Sequence, residues 1–283
     1  MSELNCSVSA LYLHPIKSCG AIAVGESLMI ETGLEFDRAW MVVDPAGDML
    51  TQRELPRLAL ISGSFKGDDL VLRAPGMLAL HIALGRVEAP TRVRVWDDEV
   101  KAFEMGPLAA QWFSDFLGRP ARLVRFDPGQ RRLSSREWTA DVEAENAFAD
   151  GFPLLLLSSA SLADLNSRLT AKGVAPVTMQ RFRPNLVLDG LQAFEEDFVD
   201  EVHITTAEGL VRLKLVKPCV RCTIPDVDPA TGQAGHEPGD TLSGFRANAR
   251  MGGGITFGMN AVLLEGTDRM LKVGQTARAF IKF

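Results

Sequence analysis

Across 283 residues this chain has no run of like charges and no low-complexity tract, and 30 Lys/Arg against 36 Asp/Glu leave a net charge of −6. Without an excess of positive charge, a nucleic-acid surface of any size is excluded, although a local basic pocket for a small anion is not. Long apolar runs are also missing. Met1 to Ser7 is polar, and Val8 to Leu13 is too short for a signal-peptide core or a membrane span, so a cytoplasmic protein without a membrane span is expected. Cysteine is scarce: Cys6, Cys19, Cys219 and Cys222 are too few and too scattered for a disulfide framework, and reduced thiols are expected. A zinc site lacks its second Cys pair, and His236 stands without a second histidine. A thioredoxin-like redox pair lacks its βαβ context. No plant-type Cys-x-x-x-x-Cys-x-x-Cys run is present, so no iron–sulfur cluster is expected in this chain.

What the chain does contain is a succession of short strand-like segments. Val8–Leu13, Leu28–Ile30, Arg38–Val43, Leu58–Phe65, Leu70–Leu72, Leu78–Ile82 and Arg92–Trp96 have the length and the β-branched or aromatic content of strands. Asp44–Asp48 and Trp96–Glu99 read as hairpin turns. A helix interrupts this pattern at Pro107–Leu117, with Leu108, Trp112 and Phe116 recurring every four residues, Pro107 in the first turn and Gly118 at the end. A second helix is expected from Ser161 to Lys172, closed by Gly173. Between them, Asp127 to Glu145 is polar and without apolar period, a long loop with Arg131, Arg132 and Arg136 in solvent. Strands resume at Leu186–Leu188, Val202–Thr205, Leu210–Val216, Ile255–Leu264 and Val273–Ile281. A mainly β (α+β) chain follows, in two parts divided near residue 125: residues 1–125 and residues 126–283.

The segment richest in chemistry is Cys219-Val220-Arg221-Cys222, which runs into Thr223-Ile224-Pro225-Asp226-Val227-Asp228-Pro229-Ala230-Thr231-Gly232. The apolar run Leu210–Val216 is expected to stop at Lys217-Pro218 and to set both thiols down in a rigid turn. A thiolate in such a place suits a soft metal or a sulfur chemistry, and Arg221 places positive charge beside Cys222. Other features are ordinary when taken singly. Lys17-Ser18 alone is a turn, Arg181 and Arg183 alone are strand ends, Gly252-Gly253-Gly254 alone is a loop, and His14, His81 and His203 read as structural.

Taken in order, these features form a set. Pro15-Ile16-Lys17-Ser18 is followed by Asp37-Arg38-Ala39-Trp40, then by Leu157 to Asn166, then by Arg183-Pro184-Asn185, then by the Cys219–Gly232 stretch. This ordered set resembles the MOSC-domain proteins with their N-terminal β-barrel domain, and among them the mitochondrial amidoxime reducing component and its bacterial counterparts. The resemblance implies a β-barrel MOSC domain preceded by a smaller β-rich domain with a few helices. It also implies a molybdenum cofactor, one molybdopterin with Cys222 as the metal's protein ligand and catalytic residue. Lys17, Ser18, Arg38, Arg183, Asn185, Arg221 and Asn260 would bind the cofactor, guanidinium forks and a lysine suiting its phosphate. Gly252 to Gly254 would bring backbone close to cofactor or substrate. The implied reaction is reduction of an N-hydroxylated substrate (an amidoxime, a hydroxylamine or an N-hydroxylated base) by N–O cleavage, with two electrons and two protons consumed. Asp226 and Asp228 are the nearby proton-donor candidates, and the electrons would come from a separate donor protein. The alternative is a sulfur-carrier or cofactor-handling module in which the cysteine holds a persulfide.

Overall fold

Leu154–Ser158 is buried at every position, four leucines and a serine, because it is covered on both faces. Leu154 and Leu156 point into one core with Leu11, Leu186, Leu188, Ile204, Leu213 and Met259. Leu155 and Leu157 point the other way, against Leu165, Leu169, Phe182 and Phe257. The first core fills a closed barrel. Its strands run in ring order Leu154–Ser158, Leu186–Asp189, Glu3–Leu13, Thr276–Ile281, Val199–Thr206, Gly209–Val220 and Gly254–Glu265, and Gly254–Glu265 pairs again with Leu154–Ser158. All neighbours are antiparallel except Leu154–Ser158 with Leu186–Asp189. The computed structural model describes residues 2–282, and 41% of the chain is strand against 19% helix. The fold is mainly β, a barrel with a second, smaller β-rich part.

Register shifts on two strands decide where the barrel's side chains point. Along Glu3–Leu13 the buried positions are Cys6, Val8, Leu11 and Leu13, and the alternation slips by one where the register shifts between Val8 and Ala10. The strand expected to end before Lys217-Pro218 continues as Gly209–Val220. Register shifts between Leu215 and Lys217 and again between Pro218 and Val220 absorb the proline, so Cys219 stands on a barrel strand and not in a turn.

The smaller part packs a four-stranded sheet, Trp40–Val43, Arg122–Phe126, Asp98–Glu104 and Pro90–Val95 in spatial order, near the three-stranded Ser62–Lys66, Asp69–Arg73 and Leu80–Ala83. The helix Pro107–Leu117 has the expected bounds, with Gly118 left-handed at φ 69°. Its buried stripe is Ala109, Trp112, Phe113, Phe116 and Leu117, whereas Leu108 is exposed. The segment expected as a strand over Leu58–Phe65 divides into a 3-10 turn at Pro56–Leu60 and a strand at Ser62–Lys66. The second helix spans Ser159–Ala171, because Ser158 Oγ caps it by accepting from Ser161 N at 3.1 Å. Chain order and space part company here. Glu3–Leu13 lies inside the barrel whose other strands all follow residue 150, and Glu26–Ile30 pairs with Met270–Lys272.

Candidate functional site

Residues from seven separate segments converge where the barrel meets the smaller part. A cavity of about 120 Å3 there is lined by Lys17, Ser18, Arg38, Arg183, Asn185, Arg221, Cys222 and Asn260, together with Thr51, Arg53, Asp150, Phe152 and Cys219. Every residue that the resemblance assigns to holding the cofactor or its metal, from Lys17 to Asn260, thus faces one space. How each is held differs.

The segments around Lys17 and Arg38 are laced together by backbone. Arg38 N donates to His14 O at 2.9 Å, Lys17 N to Trp40 O at 2.8 Å, and Asp37 Oδ1 accepts from His14 N at 2.8 Å. Arg38 then donates through Nη1 to Asp37 Oδ2 at 2.5 Å and to Asn185 Oδ1 at 3.0 Å, and through Nη2 to Arg183 O at 3.0 Å. Asn185, 1% exposed, also accepts from Leu155 N at 3.1 Å, so its amide positions Arg38 and the strand start. Arg183 Nη1 donates to Cys19 O at 2.5 Å. Lys17 Nζ donates to Phe148 O at 2.9 Å and pairs with Asp150 at 2.5 Å. Asn260 Nδ2 donates to Lys217 O at 3.2 Å on the facing strand. Ser18, Arg38 and Arg183 all sit left-handed, at φ 66°, 48° and 57°. Each costs on the order of 1–2 kcal/mol for a non-glycine residue, and such strain gathers where a site demands a side-chain direction.

The electrostatics of this cluster are one-sided. Burial pulls the Arg183 guanidinium down to about 10, and the neighbouring Arg38 adds to that. Burial lowers the Lys17 ammonium too, with Asp150 working against it. Burial pushes the Cys19 thiol up to about 12. Donors are left over as well: among the described residues Arg183 Nη2 and Arg221 Nε are buried without a partner, as is Thr51 Oγ1. Unpaired buried donors in a field of excess positive charge are what an anionic group with several acceptor oxygens would satisfy.

Arg221 departs from expectation. It donates through Nη1 to Cys219 Sγ at 3.0 Å and through Nη2 to Phe182 O at 2.8 Å, so its charge rests on Cys219 and not on Cys222. Cys222 is exposed at the rim of the cavity. Among the described residues no group of three or more His, Cys, Asp or Glu gathers that could hold a metal, so a metal held here takes few protein ligands. The glycine triplet stays outside: Gly252 and Gly253 make the turn before Gly254–Glu265 and do not line the cavity. Asp228 caps its own turn through Ala230 N at 2.8 Å and does not reach the cavity, while Asp226 lines a second one beside Cys222. Arg132, expected in solvent, is buried and grips the loop before the site, donating to Ala147 O at 3.0 Å and Ala149 O at 2.7 Å. His81 and His203 pair with Asp69 and Glu201 outside the cavity.

Sequence reading passed over Thr51, Arg53 and Asp150, which reach the cavity from loops without a motif. Trp96 joins them at the margin, its indole donating to Asp150 Oδ1 at 3.1 Å beneath the Arg53 guanidinium, 4.4 Å from the ring centroid.

Comparison with known proteins covers most of the chain. The family model described as the MOSC N-terminal beta barrel domain matches residues 5–120, and that of the MOSC domain matches residues 143–278. Mitochondrial amidoxime reducing component 2 of Bos taurus is 39% identical over 250 residues, which is 85% of this chain and 72% of the relative. Mitochondrial amidoxime-reducing component 1 of Homo sapiens is 39% identical over 251 residues with the same coverage, 85% and 72%. The Danio rerio component 1 is 34% identical over 249 residues, 84% of this chain and 74% of its own.

Proposed function

The chain belongs to the MOSC-domain family of the mitochondrial amidoxime reducing components, and on that premise we propose that it is a molybdenum-cofactor-dependent oxidoreductase that reduces N-hydroxylated substrates by N–O cleavage. The observation that carries the proposal is the cavity in which Lys17, Arg38, Arg183 and Arg221 surround buried unpaired donors beside the Cys222 thiol. A phosphate-bearing pterin fits that chemistry, and a soft metal fits a thiolate at its edge.

Each residue then has a task that its surroundings support. Arg183 offers its free Nη2 to a phosphate oxygen while Nη1 stays fixed on Cys19 O. Arg38, locked by Asp37 and Asn185, adds fixed positive charge. Lys17 contributes a point charge that Asp150 keeps in place. Arg221 contributes its unpaired Nε. Ser18 and Asn260 border the same space and supply hydrogen-bonding groups for the pterin. Cys222 holds the metal from the exposed rim, and Cys219, engaged by Arg221, packs behind it. When bound, the cofactor supplies a two-electron reduction of the N–O bond, with two protons taken up and water released.

The electrons come from a separate donor protein in this proposal. Residues 1–125 and 126–283 are its two sequence units, with Glu3–Leu13 lent to the second. The location we propose is the cytoplasm, with which the free cysteines are compatible, and among the described residues no helix is long and apolar enough to cross a membrane. The test is reduction of benzamidoxime to benzamidine by protein made in a cofactor-competent host, with a chemical reductant in place of the donor. Turnover that Cys222→Ala abolishes is the expected result. A wild-type protein that carries a persulfide on Cys222 and turns over nothing would establish the sulfur-carrier reading instead.

A further inference from the structure

Among the described residues five cations line the cationic cavity, and one of them has no polar partner. Lys17 is tied to Phe148 O and Asp150, Arg38 to Asp37, Arg183 to Cys19 O, and Arg221 to Phe182 O. Arg53 is half-buried, and among the described residues no carboxylate or carbonyl takes its guanidinium. It lies over the indole of Trp96 instead, 4.4 Å from the ring centroid. Stacking uses the face of a guanidinium and leaves the N–H donors along its edge free for an incoming acceptor.

Trp96 is an unfavourable residue where it stands. It opens the two-residue turn between the paired strands Pro90–Val95 and Asp98–Glu104, at φ 57°, in a position that favours glycine. A bulky side chain is strained there, and 46% of the residue is exposed. Its indole N–H nevertheless has a fixed place, donating to Asp150 Oδ1 at 3.1 Å, the same oxygen that holds Lys17 Nζ. A strained, exposed ring pinned at the margin of a site keeps the guanidinium above it in one position. An anion that binds there then has less side-chain freedom to suppress.

We infer that Arg53, presented by Trp96, is a specificity-determining residue that favours substrates with an anionic group, a carboxylate or a phosphate, on the body that carries the N–O bond. The inference rests on the proposed function and adds a second recognition point to it. Position separates this task from cofactor binding. The unpaired donors Arg183 Nη2, Arg221 Nε and Thr51 Oγ1 are buried, whereas Arg53 shares the accessible margin with the exposed Cys222. The anionic group is unchanged while the N–O bond breaks, so the guanidinium holds substrate and transition state alike and acts through KM.

The turnover probes are benzamidoxime and its para-carboxylate derivative. The binding probes, titrated calorimetrically, are benzamide and its para-carboxylate derivative, which contain no N–O bond. All are used with protein from a cofactor-competent host. Wild type is expected to favour the carboxylated member of each pair about fivefold or more, in KM and in Kd, as a half-exposed charge-assisted pair provides. Added salt should shrink that preference. Arg53→Gln is expected to erase it at unaltered molybdenum content. Trp96→Gly removes the ring and relieves the backbone, and the preference should fall in a variant that still melts cooperatively. Trp96→Phe keeps a stacking face and should retain it. Equal binding of the paired probes by wild type, a preference that survives in Arg53→Gln, or loss of molybdenum from that variant overturns the inference. A preference intact in Trp96→Gly overturns the part given to the ring. Turnover without an Arg53-dependent preference sinks this inference alone, whereas the preference in binding without turnover sinks the proposed reaction and leaves the anion site standing.

Discussion

Asn185 and His14 hold the backbone around the cavity in place. Asn185 supplies the acceptor for both Leu155 N and Arg38 Nη1. Asn185→Ala should cost about 1–3 kcal/mol, because a buried N–H is left unpaired, and should loosen Arg38 as well; urea unfolding measures the first effect and cofactor content the second. A stability unchanged within error would mean that the amide is dispensable. His14 is fully buried, its Nε2 on Pro184 O at 3.0 Å, and burial together with Arg183 and Arg38 holds it well below the usual histidine range. It is therefore neutral in the fold, while the unfolded chain protonates it below about pH 6.5. Its share of stability is intact above that pH and is lost as the pH falls. His14→Gln should flatten the decline of Tm between about pH 6.5 and 5 relative to wild type; an unchanged slope would exclude the assignment. All the residues that line the cavity and belong to motifs were legible in the sequence, since motif order carried them. Asp150 and Thr51 were not, because only tertiary closure brings their loops to the cavity.

Strands and helices followed their periodicity where one face is buried, and departed from it where packing overrides pattern. The expected stripe ran through Leu108, Trp112 and Phe116, yet Ala109 and Phe113 join the last two in the core and Leu108 is exposed. Pro218 suggested a strand end, but paired bulges let the strand run on, and this carries Cys219 to the cavity. The same barrel wall contains Gly258 at φ 82°, where a Cβ would meet Leu157 Cδ1 at 2.6 Å and Leu156 O at 2.9 Å. Gly258→Ala should therefore destabilise by roughly 2–4 kcal/mol, combining strain with overpacking. A shift of Tm by less than a degree would show that the strand re-forms around the side chain.

The chain's two sequence units are not two separate bodies of hydrogen bonds. Glu3–Leu13 sits between Leu186–Asp189 and Thr276–Ile281, so a chain begun at residue 126 has an open barrel with two unpaired edges and an exposed core. Such a fragment should bind a hydrophobic dye and lack a cooperative melt; a sharp transition in it would contradict the interleaved architecture. No periodicity reveals that pairing, because register between strands 175 to 277 residues apart, as from Leu11 to Leu186 and from Glu3 to Phe280, is decided only when the barrel closes. The interleaving also brings Lys17 and Arg38 from one unit against Arg183, Arg221 and Cys222 from the other, so the cationic cavity exists only in the whole chain. The central claim is that this cavity holds a molybdenum cofactor through Cys222, and elemental analysis tests it most directly, on protein from a cofactor-competent host beside Cys222→Ala. Near-stoichiometric molybdenum in the wild type, lost in the folded variant, is the predicted result. A folded wild type without molybdenum, its Cys222 open to alkylation, would contradict it.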